Sequence, residues 1–247
     1  MLHVEQNDPS QWSLLEIVSV CNRNGIQVSD EQAALLASYV KMLEQWNQKI
    51  NLVSRVDMKK IWVRHILHSV APFMKFCFLR GLKVIDVGTG GGLPGVPFAI
   101  LRPDFEVSLI DSIRKKTDAL QAIIRDIGLH NARVVNGRVE ELGRSNEFRH
   151  QFDLALARGV SSLSTLIDWA GPLLKKQSSS SYSESANVVR LPAIIAFKGG
   201  DISSELSDAL KKRPDMSIEV HDLEFEGIDQ SEMVEKKLVV AHMQGHS

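Results

Sequence analysis

Asp86 ends a short apolar run, Val84-Ile85-Asp86-Val87, and a glycine cluster follows at once: Gly88-Thr89-Gly90-Gly91-Gly92-Leu93-Pro94-Gly95. Glycine tolerates positive φ and lets a ligand come close to the backbone. Pro94 suits the first turn of a helix. A strand, a glycine loop and a helix in that order carry a ligand to the carboxyl edge of an open α/β sheet. The spacing Gly90-x-Gly92-x-x-Gly95 fits the dinucleotide fingerprint formally, a weak signal by itself. Asp86 shifts the balance. A carboxylate at that strand end repels a pyrophosphate and welcomes the ammonium and hydrogen-bonding groups of a methionine moiety. Asp111, closing Ser108-Leu109-Ile110-Asp111, can accept both hydroxyls of a ribose; this supports a nucleoside without choosing one. Asp86 with Gly88, Gly90, Gly92, Leu93 and Asp111 therefore reads as a site for S-adenosylmethionine. NAD and a merely structural glycine turn are the alternatives.

Other strand ends carry polar residues too. Val139 and Glu140 follow the third apolar run and could hold a flat, polar-edged adenine; otherwise Glu140 is a first-turn acid favoured by the helix dipole. Arg158 closes Ala157-Arg158-Gly159, and Lys198 closes Ala196-Phe197-Lys198. A charge at a strand's carboxyl end points at the cleft in this architecture, so both are candidate catalytic residues. No His/Cys cluster suggests a metal, and none is expected.

These residues need a scaffold, and the apolar pattern supplies one. Short β-branched runs at Lys83–Val87, Glu106–Ile110, Ala132–Val135, Asp153–Ala157 and Ala193–Phe197 alternate with amphipathic stretches at Pro94–Leu101, Ile113–Ile127, Ser161–Leu174 and Ile202–Lys212. That alternation predicts an α/β, Rossmann-like fold: a mainly parallel sheet with helices on both faces. Ser217–Phe225 and Lys237–His242 suit two final strands, one antiparallel. Residues 1–80 read as helical, with apolar positions at helical spacing in Leu14–Val18, in Leu35–Trp46 after Ser29 and Asp30, and in Ile61–Ser69, the last stopping at Pro72. The expected organisation is an N-terminal helical extension over 1–80 and one catalytic unit over 81–247. The Ser-rich stretch 177–185 reads as a surface loop.

Composition bounds the class. The 247 residues suit one α/β domain with an appendage. Two cysteines, Cys21 and Cys77, make no disulfide framework. No apolar run reaches membrane-spanning length, and Met1–Asp8 lacks the features of a signal peptide. A cytoplasmic protein is expected. Net charge is −1, but it is uneven: residues 1–80 hold 9 basic and 7 acidic side chains, residues 81–200 hold 15 and 12, and residues 201–247 hold 5 and 11. An anionic partner would meet the first two segments rather than the tail.

The sequence resembles the small-subunit ribosomal RNA guanine-N7 methyltransferases, also called the glucose-inhibited division protein B family. The resemblance rests on Trp46-Asn47-Gln48-Lys49-Ile50-Asn51-Leu52, on Trp62-Val63-Arg64-His65-Ile66-Leu67-His68-Ser69, on Asp86 through Pro97, and on Asp111-Ser112 with Lys115-Lys116 behind. It runs from about Leu35 to Gly200. It implies a class I methyltransferase fold with a seven-stranded sheet. It also implies S-adenosylmethionine contacts at Gly88, Leu93, Val139, Glu140 and Arg158, and methylation of N7 of one guanine in bacterial 16S rRNA. Departures occur at Val139-Glu140, where the family often has Ala-Glu, and at Ala157-Arg158-Gly159, where it has Ser-Arg-Ala.

Guanine N7 carries a lone pair and no proton, so no general base is needed; alignment is the task. The target base must leave its stack, which calls for an aromatic platform. Trp46, Trp62 and Trp169 are candidates, with core packing as the other use of each. Arg64, His65, Arg114, Lys115 and Lys198 are candidate RNA contacts. The expected partner is small-subunit rRNA or a ribosomal subunit assembly intermediate, with no membrane and no obligate protein partner. The alternative is a methyltransferase acting on another RNA, a protein or a small molecule.

Overall fold

The computed structural model describes residues 12–176, 188–229, 233 and 235–243. The Ser-rich stretch 177–185 lies outside the described residues. Two capping boxes start the chain's helices. Ser13 and Glu16 open α1 (Leu14–Arg23), and Ser29 and Gln32 open α2 (Asp30–Asn47). The Gln32 amide also donates to the carbonyls of Ile100 and Leu101, which ties α2 to a later helix end. A four-residue turn, α3 (Arg55–Met58), leads into a π-helix at Trp62–Leu67 and then α4 (His68–Lys75). Pro72 does not stop this helix as its sequence suggests. It sits inside α4, which continues three residues past it to Lys75. Neither α3 nor the π-helix is expected from periodicity; π-turns mark functional sites often.

The α/β part follows as β1 (Lys83–Val87), α5 (Gly95–Leu101), β2 (Glu106–Asp111), α6 (Arg114–Asp126), β3 (Ala132–Asn136), α7 (Val139–Leu142), β4 (Leu154–Arg158), α8 (Leu163–Ala170), β5 (Ala193–Gly199), α9 (Ser203–Lys212), β6 (Met216–Asp222) and β7 (Lys236–Met243). The strands form one seven-stranded sheet in the order β3-β2-β1-β4-β5-β7-β6. β1 to β5 run parallel, and β7 inserts antiparallel between β5 and β6. The expected helix Ser161–Leu174 shortens to α8 and a 3-10 turn at Gly171–Leu173.

Strand alternation sorts the core into two layers. Val84, Leu109, Leu156, Ile195 and Leu238 face one way, packing with Ile17, Leu36, Leu43, Ile66 and Phe98. Ile85, Ala155, Ile194 and Val239 face the other, against Leu166, Ile167 and Ala209. The N-terminal helices therefore cover one whole face of the sheet with α5 and α6. This coverage decides what stands over the carboxyl ends of β1 and β4.

Candidate functional site

β1 and β4 lie side by side, Val87 in register with Ala157, and each strand leads into a glycine of left-handed backbone. Gly88 has φ +68° and Gly159 φ +62°. A Cβ on Gly88 would stand 2.7 and 2.9 Å from the Val160 methyls, so no larger residue fits without movement. Two cavities flank this turn. The first, of about 360 Å³, is walled by Asp111, Ile113, Lys116, Val139, Glu140 and Trp169. The second, of about 310 Å³, is walled by Leu52, Ser54, His65, Gly90, Leu93 and Arg158. Gly88 and Gly159 line both.

In the first cavity Asp111 is fixed by backbone. Its Oδ2 accepts from Gly90 N at 3.0 Å and its Oδ1 from Ile113 N at 2.9 Å. Each oxygen keeps acceptor capacity for a hydroxyl. Glu140 and Val139 stand opposite at the start of α7. Arg114 and Lys115 are exposed at the rim, just past Ile113. Lys116, which sequence marks only as part of a motif, lines the cavity itself.

Asp86 takes a position different from the one its sequence suggests. It is 0 % exposed and lines neither cavity. Strand parity turns it to the side of Val84, beneath the loop, where Oδ2 accepts from Thr89 Oγ1 at 2.6 Å and Gly95 N at 2.9 Å. The carboxylate thus braces the loop rather than facing the cleft. Burial raises its pKa to about 7, against the bonds from Thr89 and Gly95 that lower it. Its buried Oδ1 has no partner. Gly92 also turns inward: a Cβ there would meet Val96 at 2.6 Å and Leu120 at 2.9 Å, so its smallness serves packing. From α2, the buried Tyr39 hydroxyl donates to Gly91 O at 2.9 Å and holds the loop from above.

The second cavity is built by the N-terminal helices. Asn47, at the end of α2, accepts from Leu52 N and Val53 N and donates to Val53 O, which shapes the segment on the cavity wall. Arg158 points to the same face as Leu156, toward the π-helix. Its guanidinium donates to Arg64 O at 2.9 Å and His65 O at 3.4 Å, and lies 2.7 Å from His65 Nδ1. Burial lowers the Arg158 pKa to about 10, with Asp57, Tyr39 and Asp86 opposing; it stays a cation. Burial and then Arg158 push His65 down to about 3, so its ring is neutral. The Arg64 side chain is turned outward and lies 3.5 Å from Asp57 Oδ1.

Lys198 does not reach this cluster. The alternation along β5 sends it to the opposite face from Phe197, where its ammonium meets Ser161 O at 2.8 Å and Glu205. Glu205 also accepts from Leu163 N, so this ion pair anchors the start of α8. Lys236, by contrast, lies on the sheet face that carries Arg158. It pairs with Gly199 in register and shares a face with Leu238. Burial and the charges of Arg158 and Arg64 lower its pKa. It stood in an acidic tail, and only strand pairing could have found it. Of the three candidate tryptophans, Trp169 lines the first cavity; Trp46 and Trp62 pack against the core, with the Lys49 ammonium 5.5 Å from the Trp46 ring centre.

A larger concavity of about 410 Å³ opens at the amino ends of β1 to β3. It lacks the glycine loop, and its charges pair among themselves: Lys83 with Glu106 and Arg133 with Glu147. Ligands in open α/β sheets sit at the opposite, carboxyl edge, which is where the two smaller cavities are.

A family model described as rRNA small subunit methyltransferase G matches residues 32–181. The chain is 34 % identical over 243 residues to "Ribosomal RNA small subunit methyltransferase G" of Chlorobium luteolum, covering 98 % of this chain and 93 % of that one. It is 36 % identical over 197 residues to the protein of the same name in Chlorobium limicola, covering 80 % and 81 %. Among solved structures, Aeropyrum pernix fibrillarin, in complex with natively bound S-adenosyl-L-methionine, is similar at TM-score 0.50 and 13 % identity, over 70 % of this chain and 73 % of that one. At that identity the likeness is one of fold.

Proposed function

The chain belongs to the rRNA small subunit methyltransferase G family, and from that premise we propose how its two cavities divide the work. It is an S-adenosylmethionine-dependent methyltransferase that modifies N7 of a guanine in small-subunit (16S) rRNA. The observation that carries the division is the shared wall: one cavity fitted for a nucleoside and one lined by polar groups of the N-terminal helices meet at Gly88 and Gly159.

The residues present fit the cofactor. Asp111 offers two fixed carboxylate oxygens to ribose hydroxyls, and Val139 and Glu140 bound an adenine-sized space. Gly88 leaves a cradle that a Cβ would fill. Asp86 holds the loop from beneath through Thr89 and Gly95. Leu93, Gly90 and Arg158 stand toward the methionine end. Bound here, S-adenosylmethionine supplies a methyl group activated by a sulfonium.

The chain's own residues then position the acceptor. N7 has no proton to lose, so no base is required; the neutral His65 serves as a hydrogen-bonding group. Holding the base in line can supply several kcal/mol, up to about 7–11 in favourable cases. Arg64 and Lys236 give positive charge to this side for an RNA backbone, and Arg114 and Lys115 extend it along the first cavity's rim. The N-terminal helices form the acceptor wall and so act with the sheet as one unit. We infer action in the cytoplasm on rRNA, free or in a subunit assembly intermediate, without an obligate protein partner. No helix among the described residues is long and apolar enough to cross a membrane.

The test is the modification map of rRNA from a strain lacking this gene. Borohydride and aniline treatment followed by primer extension should show loss of one N7-methylguanosine stop, restored by the intact chain. An unchanged stop overturns the assignment.

A further inference from the structure

Asp57, on α3 and beside the Arg64 guanidinium, takes no part in holding the cofactor. Ser54 Oγ donates to its Oδ2 at 2.6 Å, and Arg64 lies 3.5 Å from its Oδ1. The bond from Ser54 and the nearby Arg64 hold its pKa below the usual carboxylate range, against some burial, so the group is an anion and a pure acceptor. His65 stands beside it. A guanidinium can only donate, so the 2.7 Å contact from Arg158 makes His65 Nδ1 the acceptor and places the ring proton on Nε2. Nε2 is 4.0 Å from Asp57 Oδ2. That is too long for a hydrogen bond. A fixed donor and a fixed acceptor therefore stand next to each other without satisfying each other, His65 lining the second cavity and Asp57 held by the Ser54 that also lines it. Arg158, Arg64 and Lys236 are the charged groups around them.

The target base offers a matching pair. Guanine carries an acceptor, O6, next to a donor, N1–H. Adenine carries a donor, the 6-amino group, next to an acceptor, N1. We propose that Asp57 and His65 read the O6–N1 edge of the extruded guanine, His65 Nε2–H donating to O6 and the Asp57 carboxylate accepting from N1–H. A 4.0 Å spacing suits two neighbouring bonds of about 3 Å each. Neither group donates to N7, whose lone pair stays free. Adenine would set two donors and two acceptors against each other, so the pair rejects it. Asp57 and His65 are specificity-determining residues in this scheme, and Arg158 is the positioning residue that sets the His65 tautomer. The proposal rests on the reading of the second cavity as the acceptor site.

The test uses the full-length chain with unmodified small-subunit rRNA carrying guanosine, inosine or O6-methylguanosine at the target position. Inosine keeps O6 and N1–H. O6-methylguanosine keeps N7 but has an acceptor at N1. The unsubstituted chain should use guanosine and inosine alike and lose about 10- to 100-fold in kcat/KM on O6-methylguanosine, the range of a good two-point base contact. An amide offers either polarity, so Asp57→Asn should shrink that ratio to about threefold or less. Equilibrium binding of the three RNAs without cofactor should follow the same order. An unchanged ratio in Asp57→Asn overturns the pair. The unsubstituted comparison needs no variant: equal kcat/KM for guanosine and O6-methylguanosine overturns the proposal even if Asp57→Asn misfolds. A chain that binds S-adenosylmethionine but methylates no guanosine-containing rRNA overturns the acceptor-site reading, and this one with it.

Discussion

Asn47 and Val53 close a ring: the Asn47 oxygen accepts from Val53 N at 2.9 Å, and its amide donates to Val53 O at 2.9 Å. A third bond, from Leu52 N at 2.8 Å, completes the side chain's role as a template for the cavity wall. Asn47→Ala leaves three part-buried backbone groups to find water. At about 1 kcal/mol net per bond, chemical denaturation should show a loss of about 2–3 kcal/mol. Methyl transfer should fall more than cofactor affinity, since Asn47 shapes the acceptor side.

Gly88→Ala tests the turn after β1. The φ of +68° and the approach of Val160 both oppose a Cβ, and left-handed backbone alone costs about 1–2 kcal/mol outside glycine. Calorimetry should show S-adenosylmethionine affinity reduced about 10- to 100-fold, at 1.4 kcal/mol per tenfold. Adding Val160→Ala should recover part of the loss, a coupling that two independent effects would not show.

Asp86 makes stability depend on pH. Burial raises its folded pKa from 3.8 to about 7, so the folded chain keeps a proton that the unfolded chain has released. The resulting stabilisation is full below about pH 3.8 and is lost as pH rises through 7. Between pH 5 and pH 8 the cofactor-free chain should lose about 2–3 kcal/mol from this group, at 1.36 kcal/mol per pKa unit. Asp86→Asn can still accept from Thr89 and Gly95. It should lack that slope, and the difference between the two denaturation profiles isolates it. Parallel profiles would show that Asp86 titrates in its ordinary range.

Lys198→Met separates an internal brace from an RNA contact. The ion pair with Glu205 is largely shielded, with side chains 14 % and 25 % exposed. Removing the ammonium strands a carboxylate at the start of α8. Stability should drop by about 1–3 kcal/mol while the KM for rRNA stays unchanged. A raised KM with unchanged stability would return Lys198 to the RNA side.

The sequence made the sheet legible because buried parallel strands are continuous β-branched runs; β1 begins and ends where its pattern predicts, at Lys83 and Val87. That Asp111, Val139, Glu140 and Arg158 would line the cleft was legible for a related reason: they close or soon follow parallel strands, whose ends define the cleft in any such fold. The side on which a residue lands was not. Asp86 and Lys198 are each next to last in their strands, yet parity buries one beneath its own loop and turns the other to α9. Lys236 and Asp57 were invisible because neither follows a parallel strand. One arrives through an antiparallel pairing across the sheet, the other through a four-residue helix below the reach of periodicity. Asn47 and Leu52 drew notice only as a motif; the bond between them is what gives the motif a physical purpose.

Gly88 and Gly159 line both cavities, and a Cβ at Gly159 would meet nothing within 4 Å. At these two residues the seam between the rooms is bare main chain, with the Val160 methyls pressed against Gly88. Trimming Val160 is the change that would widen it, and selection for bulkier transferable groups would act there before it moved whole strands.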